Sequence, residues 1–151
     1  MKTFLIILGV IALLFLASQI YVYKSSRNIE GYKYAVIKVY NGFEIRKYEA
    51  RLFTAVKLEE ITMLFLVPKK FTKESLPKPK NSKIKFIEVP EKNMAAITFG
   101  GWPNDKKIKK YKQALIKLLD TKGIKHTNKF SVLGYNPPYE IWFRKNEIIV
   151  E

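Results

Sequence analysis

A chain of 151 residues, 48% of them hydrophobic, is long enough for one ordinary domain with a buried core and an appendage. Its formal net charge is +15, yet only Arg27, Arg46, Arg51 and Arg144 among the 28 basic residues are arginine, and cysteine is absent. These facts exclude disulfides, thiolate nucleophiles and Cys-based metal sites. They also argue against a nucleic-acid partner, because base and phosphate readout favours arginine's bidentate fork. Much of the lysine load follows a compositional bias that also enriches Ile and Asn.

From Phe4 to Tyr23 the sequence "FLIILGVIALLFLASQIYVY" runs for twenty residues without a charge. At about 1.5 Å per residue this covers roughly 30 Å, the thickness of a bilayer's hydrocarbon core. Lys2 and Lys24 flank it, and Tyr21 and Tyr23 fall where an interfacial aromatic belt lies. Residues 1–24 therefore read as a single transmembrane anchor or, alternatively, as a signal sequence. The possible cuts after Ala17 or Ser18 place Phe15 or Leu16 at a position that prefers a small side chain, which disfavours cleavage. The short Lys2 tail favours export of the domain downstream, and Lys24, Arg27 and Lys33 favour the opposite side. The expectation is an anchored domain on the exported side, or a secreted one if the segment is cleaved.

Residues 25–33 read as a linker and 34–151 as the soluble domain. "YAVIKVYNGFEIRKYEA" predicts two strands around Asn41-Gly42, a strong hairpin signal. "RLFTAVKLEEITMLFLVP" places two strand-like runs on either side of Glu59-Glu60 alone. A two-residue hairpin wants Gly, Asn or Asp at its centre, and a single strand across 51–67 is far too long. In the second run both alternation sets are apolar, Ile61, Met63, Phe65 and Val67 against Leu64 and Leu66. Such a strand wants cover on both faces, so residues 58–63 read as a seam at which a covering element is missing.

"KKFTKESLPKPKN" is an exposed loop, and "SKIKFIEVP" and "KNMAAITFGG" are strands around Pro90-Glu91. "NDKKIKKYKQALIKLLDTKG" predicts an amphipathic helix over 105–122. Its stripe is Ile108, Tyr111, Leu115, Leu118 and Leu119, its cap Asn104 or Asp105, its terminator Gly123. "KFSVLGYN" and "EIWFRKNEIIVE" close the chain as strands after a corner at Pro137-Pro138. Mostly antiparallel strands with one packed helix make an α+β domain.

Four stretches resemble the SOUL haem-binding protein family: "YNGFEIRKYEARLFTAV", "FLVPKKFTKESLPKPKN", "VPEKNMAAITFGGW" and "GYNPPYEIWFRKNEI". The most distinctive is Tyr135-Asn136-Pro137-Pro138 followed by Arg144, Asn146 and Glu147. The resemblance implies an antiparallel distorted β-barrel of two strand-helix-strand-strand units, a haem or other tetrapyrrole ligand, and no general catalytic activity. The second unit is intact; in the first, the helix is replaced by Glu59-Glu60-Ile61-Thr62. The family's pocket draws on that missing helix. The remaining candidates for a tetrapyrrole wall are Met63, Phe65, Trp102, Tyr111 and Leu115, with Arg144 as a charged rim. Each apolar one has an alternative reading as plain core.

His126, the sole histidine, sits in "GIKHTNK", matches no axial position and reads as a solvated loop residue. No metal site is expected. Aspartates occur only at 105 and 120, no nucleophile elbow or phosphate loop is present, and an enzyme is not expected. The reading is a non-catalytic tetrapyrrole-binding module tethered to a membrane through residues 4–23. The alternatives are a tethered scaffold whose lysine face meets anionic lipid or a partner, and a binder of some other small hydrophobic ligand.

Overall fold

The computed structural model describes residues 1–26, 29–58 and 61–151. Its elements in order are α1 (Lys2–Ser26), β1 (Tyr34–Tyr40), β2 (Phe43–Tyr48), β3 (Arg51–Lys57), β4 (Thr62–Leu66), β5 (Ile84–Val89), β6 (Lys92–Gly100), α2 (Asp105–Thr121), β7 (Phe130–Gly134) and β8 (Lys145–Val150). The architecture is α+β, and every strand pairing is antiparallel.

The strands form two sheets, β1-β2-β6-β8-β7 and β4-β3-β5. A closed barrel was expected; among the described residues the two sheets stay open. The chain leaves one sheet for the other at Pro90-Glu91, since β5 pairs with β3 while β6 pairs with β2 and β8. Tyr32 bridges the sheets, its ring 4.7 Å from Tyr48 and 5.2 Å from Phe53. Arg51 ties the smaller sheet to the chain before and after it, through Glu30 Oε1 at 2.7 Å and the Val67 carbonyl at 2.9 Å.

The period-2 alternation of the large sheet is used on both faces. Phe43, Ala95, Ile97, Phe99, Ile148 and Val150 meet Leu115 and Leu119 of α2 in the main core. Tyr48, Ala96 and Ile149 point the other way, under Tyr32, Tyr34, Met94 and Leu133. α2 is bounded as its caps dictate. Asn104 Oδ1 accepts the Lys107 N–H at 2.9 Å, and Gly123 takes the left-handed φ of 64° that ends the helix. Burying Leu115 and Leu119 completely stabilises the fold by about 1.5–3 kcal/mol each.

The Asn41-Gly42 hairpin forms, with Gly42 alone at positive φ (95°). β3 and β4 also pair as direct antiparallel neighbours, down to Lys57 opposite Thr62, and Leu58 N–H donates to the Ile61 carbonyl at 2.9 Å. The chain thus reverses where turn chemistry argued against a hairpin; Glu59 and Glu60 themselves lie outside the described residues. No helix separates these strands among the described residues, and β4 is left uncovered, with Met63 43% and Phe65 52% exposed.

The final strand corrects a boundary. "EIWFRKNEIIVE" was expected to be strand throughout, but β8 begins only at Lys145. Residues 139–143 form a loop in which Phe143 takes a φ of 59°. The double proline upstream supplies no N–H for a ladder, and the Arg144 side chain takes the carbonyls of Pro137, Pro138 and Glu140 instead.

α1 has the length and apolar composition of a membrane span, and equally of a signal sequence. It is exposed along nearly its whole length.

Candidate functional site

The motif residues beyond the Pro137-Pro138 corner form a clasp. Arg144 Nη1 donates to the carbonyls of Pro137 at 2.9 Å, Glu140 at 2.7 Å and, more weakly, Pro138 at 3.5 Å. Its guanidinium lies 4.0 Å over the Trp102 ring. Asn136 Oδ1 accepts the Lys145 N–H at 2.6 Å, and Asn146 Nδ2 donates to the Gly101 carbonyl at 2.7 Å. The corner and the β6–α2 connection are thereby fixed to β8. What the clasp presents is the loop itself, with Tyr139, Ile141, Trp142 and Phe143 all exposed, Phe143 to 78%. A left-handed φ costs a bulky residue about 1–2 kcal/mol, and such strain persists only where the surroundings over-determine it.

Beneath the clasp, on the face of the large sheet opposite α2, Glu147 is fully buried. Its Oε1 accepts from Arg46 Nη1 and Lys145 Nζ, both at 2.9 Å, and from Thr98 Oγ1 at 3.2 Å. Its Oε2 accepts from the Tyr135 hydroxyl at 2.6 Å. Arg46 also reaches Glu44 at 2.7 Å and the Tyr48 hydroxyl at 3.2 Å, and stands 4.1 Å over the Tyr34 ring. Burial alone would raise the Glu147 carboxyl; hydrogen bonds from Tyr135, Lys145 and Arg46 outweigh it and hold the group below its usual 4.5. Burial pushes the Tyr135 hydroxyl far above its ordinary value, reinforced by the Glu147 carboxylate it serves. Burial likewise pushes Tyr48 up to about 12, against the opposing hydrogen bond from Arg46.

A raised tyrosine pKa has a defined consequence for stability. The folded state holds the proton more tightly than the unfolded chain, so this contribution is complete below pH 10 and disappears as pH rises through about 12. Alkaline unfolding, followed by near-ultraviolet circular dichroism, is expected to set in across that interval. A signal unchanged to pH 12.5 would contradict a buried, protonated Tyr48.

Two cavities stand out among the described residues. One of about 230 Å³ lies between α1 and the exposed loop, lined by Leu16, Gln19, Ile20, Tyr23, Glu140, Trp142 and Phe143. Its ring contacts are Phe15 on Trp142 and Tyr23 on Phe143, each at 5.6 Å between centroids. The other, about 150 Å³, is lined by Ile45, Met94, Leu119, His126 and Val150 among others. His126 is more covered than a solvated loop residue. Its ring packs edge-on to Phe130, and Nδ1 donates to the Thr127 carbonyl at 2.7 Å. Among the described residues, no three His, Asp or Glu side chains converge as a metal site.

The six residues expected to wall a ligand fall into three separate pairs. Met63 and Phe65 share the uncovered face of β4. Trp102, 51% exposed, and Arg144 stack on each other at the clasp. Tyr111 stacks on Phe99 at 4.6 Å and, with Leu115, belongs to the core under α2. Neither cavity is lined by any of the six. Sequence reasoning missed the loop 139–143 and the half of α1 it meets. The available signal was Ile141-Trp142-Phe143, a non-alternating apolar run behind two prolines.

A search of curated proteins finds no match to this chain. The family description "SOUL heme-binding protein" matches residues 52–151, which take in the smaller sheet, α2, the clasp and the buried Glu147. The chain belongs to the SOUL haem-binding protein family.

Proposed function

We propose that this protein is a non-catalytic, membrane-tethered module that holds haem or a related tetrapyrrole by apolar contact. Family membership supports the ligand class. The observation that carries the contact mode is the aromatic cleft between α1 and the clasped loop, walled by Leu16, Ile20, Tyr23, Trp142 and Phe143. Its chemistry fits the faces of a planar macrocycle. It offers the iron no His, Cys or Met, and its volume is below the roughly 300–1,000 Å³ usual for ligand pockets. Entry of a porphyrin therefore requires the helix and the loop to part.

In this reading residues 1–24 anchor, 25–33 link and 34–151 bind. Tyr23, Trp142 and Phe143 contact the macrocycle, and Arg144 positions the loop. Exposed lysine side chains pair with the propionates in this reading. Met63 and Phe65 on β4 and Trp102 at the clasp offer separate exposed apolar surfaces outside this cleft, and Tyr111 and Leu115 belong to the core under α2. In this reading the domain lies on the exported side of the membrane.

Titration of the full chain in detergent with hemin and with metal-free protoporphyrin tests this. Both are expected to bind, with affinities within about threefold (under 1 kcal/mol) of each other, because the cleft recognises the faces of the macrocycle rather than its iron. A Soret shift with hemin alone would replace contact by ligation, and no shift with either would remove the proposal. A second reading, a scaffold that meets anionic lipid, is favoured by the exposed Lys106, Lys109, Lys110 and Lys117 of α2. It predicts vesicle binding that weakens with salt.

A further inference from the structure

We infer that the loop 139–143 is immersed in the same leaflet as the C-terminal half of α1, so that the domain is seated in the membrane rather than suspended from it. This rests on the reading of α1 as an uncleaved anchor. The loop meets α1 at Phe15, Gln19 and Tyr23, three residues spaced by four and therefore on one helical stripe. The eight steps from Phe15 to Tyr23 cover about 12 Å along the helix axis. If residues 4–23 cross the hydrocarbon core, anything that touches Phe15 and Gln19 lies at the same depth.

An irregular backbone tolerates lipid only when its polar groups are satisfied from within the protein. Part of the loop's backbone meets that condition. Arg144 takes the carbonyls of Pro137, Pro138 and Glu140, the two prolines bring no N–H, and the Glu140 N–H donates to the Pro137 carbonyl at 3.1 Å. The Ile141 N–H donates to Gln19 Oε1 at 3.2 Å. That bond also accounts for a glutamine inside an otherwise apolar span, where a polar side chain is costly without a partner. The other polar residue of that region, Ser18, is satisfied by the Phe15 carbonyl at 2.7 Å. Glu140 is buried, at 2% exposure, so the loop's outer surface is Tyr139, Ile141, Trp142 and Phe143, with no exposed charge among them. Trp and Tyr with adjacent aliphatic and phenyl groups are the side chains that settle at the interface of a bilayer.

The absence of native cysteine permits a direct test. Full-length chains carrying Phe143→Cys, or Lys109→Cys on the exposed face of α2 as a control, are labelled with an environment-sensitive nitrobenzoxadiazole probe. Both are reconstituted into phosphatidylcholine/phosphatidylglycerol vesicles. Phe143 is largely exposed in the protein, so its replacement leaves the core intact. Flotation reports the anchor independently of the loop. The inference expects both chains to float, with the Phe143→Cys probe blue-shifted, severalfold brighter and quenched by spin-labelled acyl chains, and the Lys109→Cys probe aqueous. Chains that float with the Phe143→Cys probe as wet as the control overturn the inference and leave the anchor standing. Chains that fail to float overturn the anchor and the inference together.

Discussion

Replacing Glu147 by alanine is expected to cost about 3–5 kcal/mol of folding stability, the range for breaking a buried ion pair from one side. Two cations and two hydroxyls converge on a carboxylate with no exposed surface. Removing it leaves the Arg46 cation, itself buried, with the partly exposed Glu44 as its remaining carboxylate. Glu147→Gln keeps the shape and the acceptor oxygen and is expected to fall between alanine and the native protein. Chemical denaturation of the full chain in detergent, read by near-ultraviolet circular dichroism, gives the comparison. A Glu147→Ala chain within about 1 kcal/mol of the native one, the size of a surface pair, would refute the role. The pH dependence has a definite sign. Because the folded carboxyl titrates below 4.5, its stabilisation is complete above that pH and is lost as acid carries the solution down through the folded value. The Glu147→Gln chain should lack this acid-side loss.

Arg144→Ala is expected to destabilise by roughly 2–4 kcal/mol, since it removes charge-assisted hydrogen bonds to carbonyls of the corner and leaves the Pro137 carbonyl with the Glu140 N–H alone. The same change should weaken hemin binding by about tenfold or more, near 1.4 kcal/mol, because Trp142 and Phe143 lose their fixed placement. Arg144→Lys separates position from charge. A single ammonium cannot reproduce the planar fork that both spans the carbonyls and stacks on Trp102, so lysine should restore neither stability nor affinity. Full rescue of hemin binding by lysine would show that only the charge matters, as a rim cation facing the propionates. Melting temperature and Soret titration, measured on the same preparations, report the two effects separately.

Much of the fold was legible because local chemistry and final structure agree. Asn41-Gly42 marked a hairpin, and Asn104 and Gly123 bounded α2 through groups that satisfy helix ends. The stripe of Leu115 and Leu119 found the core face. At 139–143 the same reasoning failed, because Ile141 and the strand after it look alike to a rule that counts apolar residues. The difference lies in where the backbone's hydrogen bonds go, and Arg144 diverts them into the corner. Glu59-Glu60 misled in the other direction: β3 and β4 pair through ten paired residues, and that ladder is set by the pairing partners rather than by the turn.

The candidate site divides in the same way. The amino-acid order alone established an apolar N-terminal span, an α+β domain of antiparallel strands, a cysteine-free chain and the motif that carries the family resemblance. Those properties depend on residues within a turn or a strand of one another. The tertiary structure decided that Met63, Trp102 and Leu115 lie in three different places. It also decided that Arg46 meets Glu147 from another strand, and that Gln19 meets Ile141 across more than a hundred residues. Contacts between distant segments arise from how sheets and helices stack. The side chains that make them carry no mark of their partners in their own neighbourhoods.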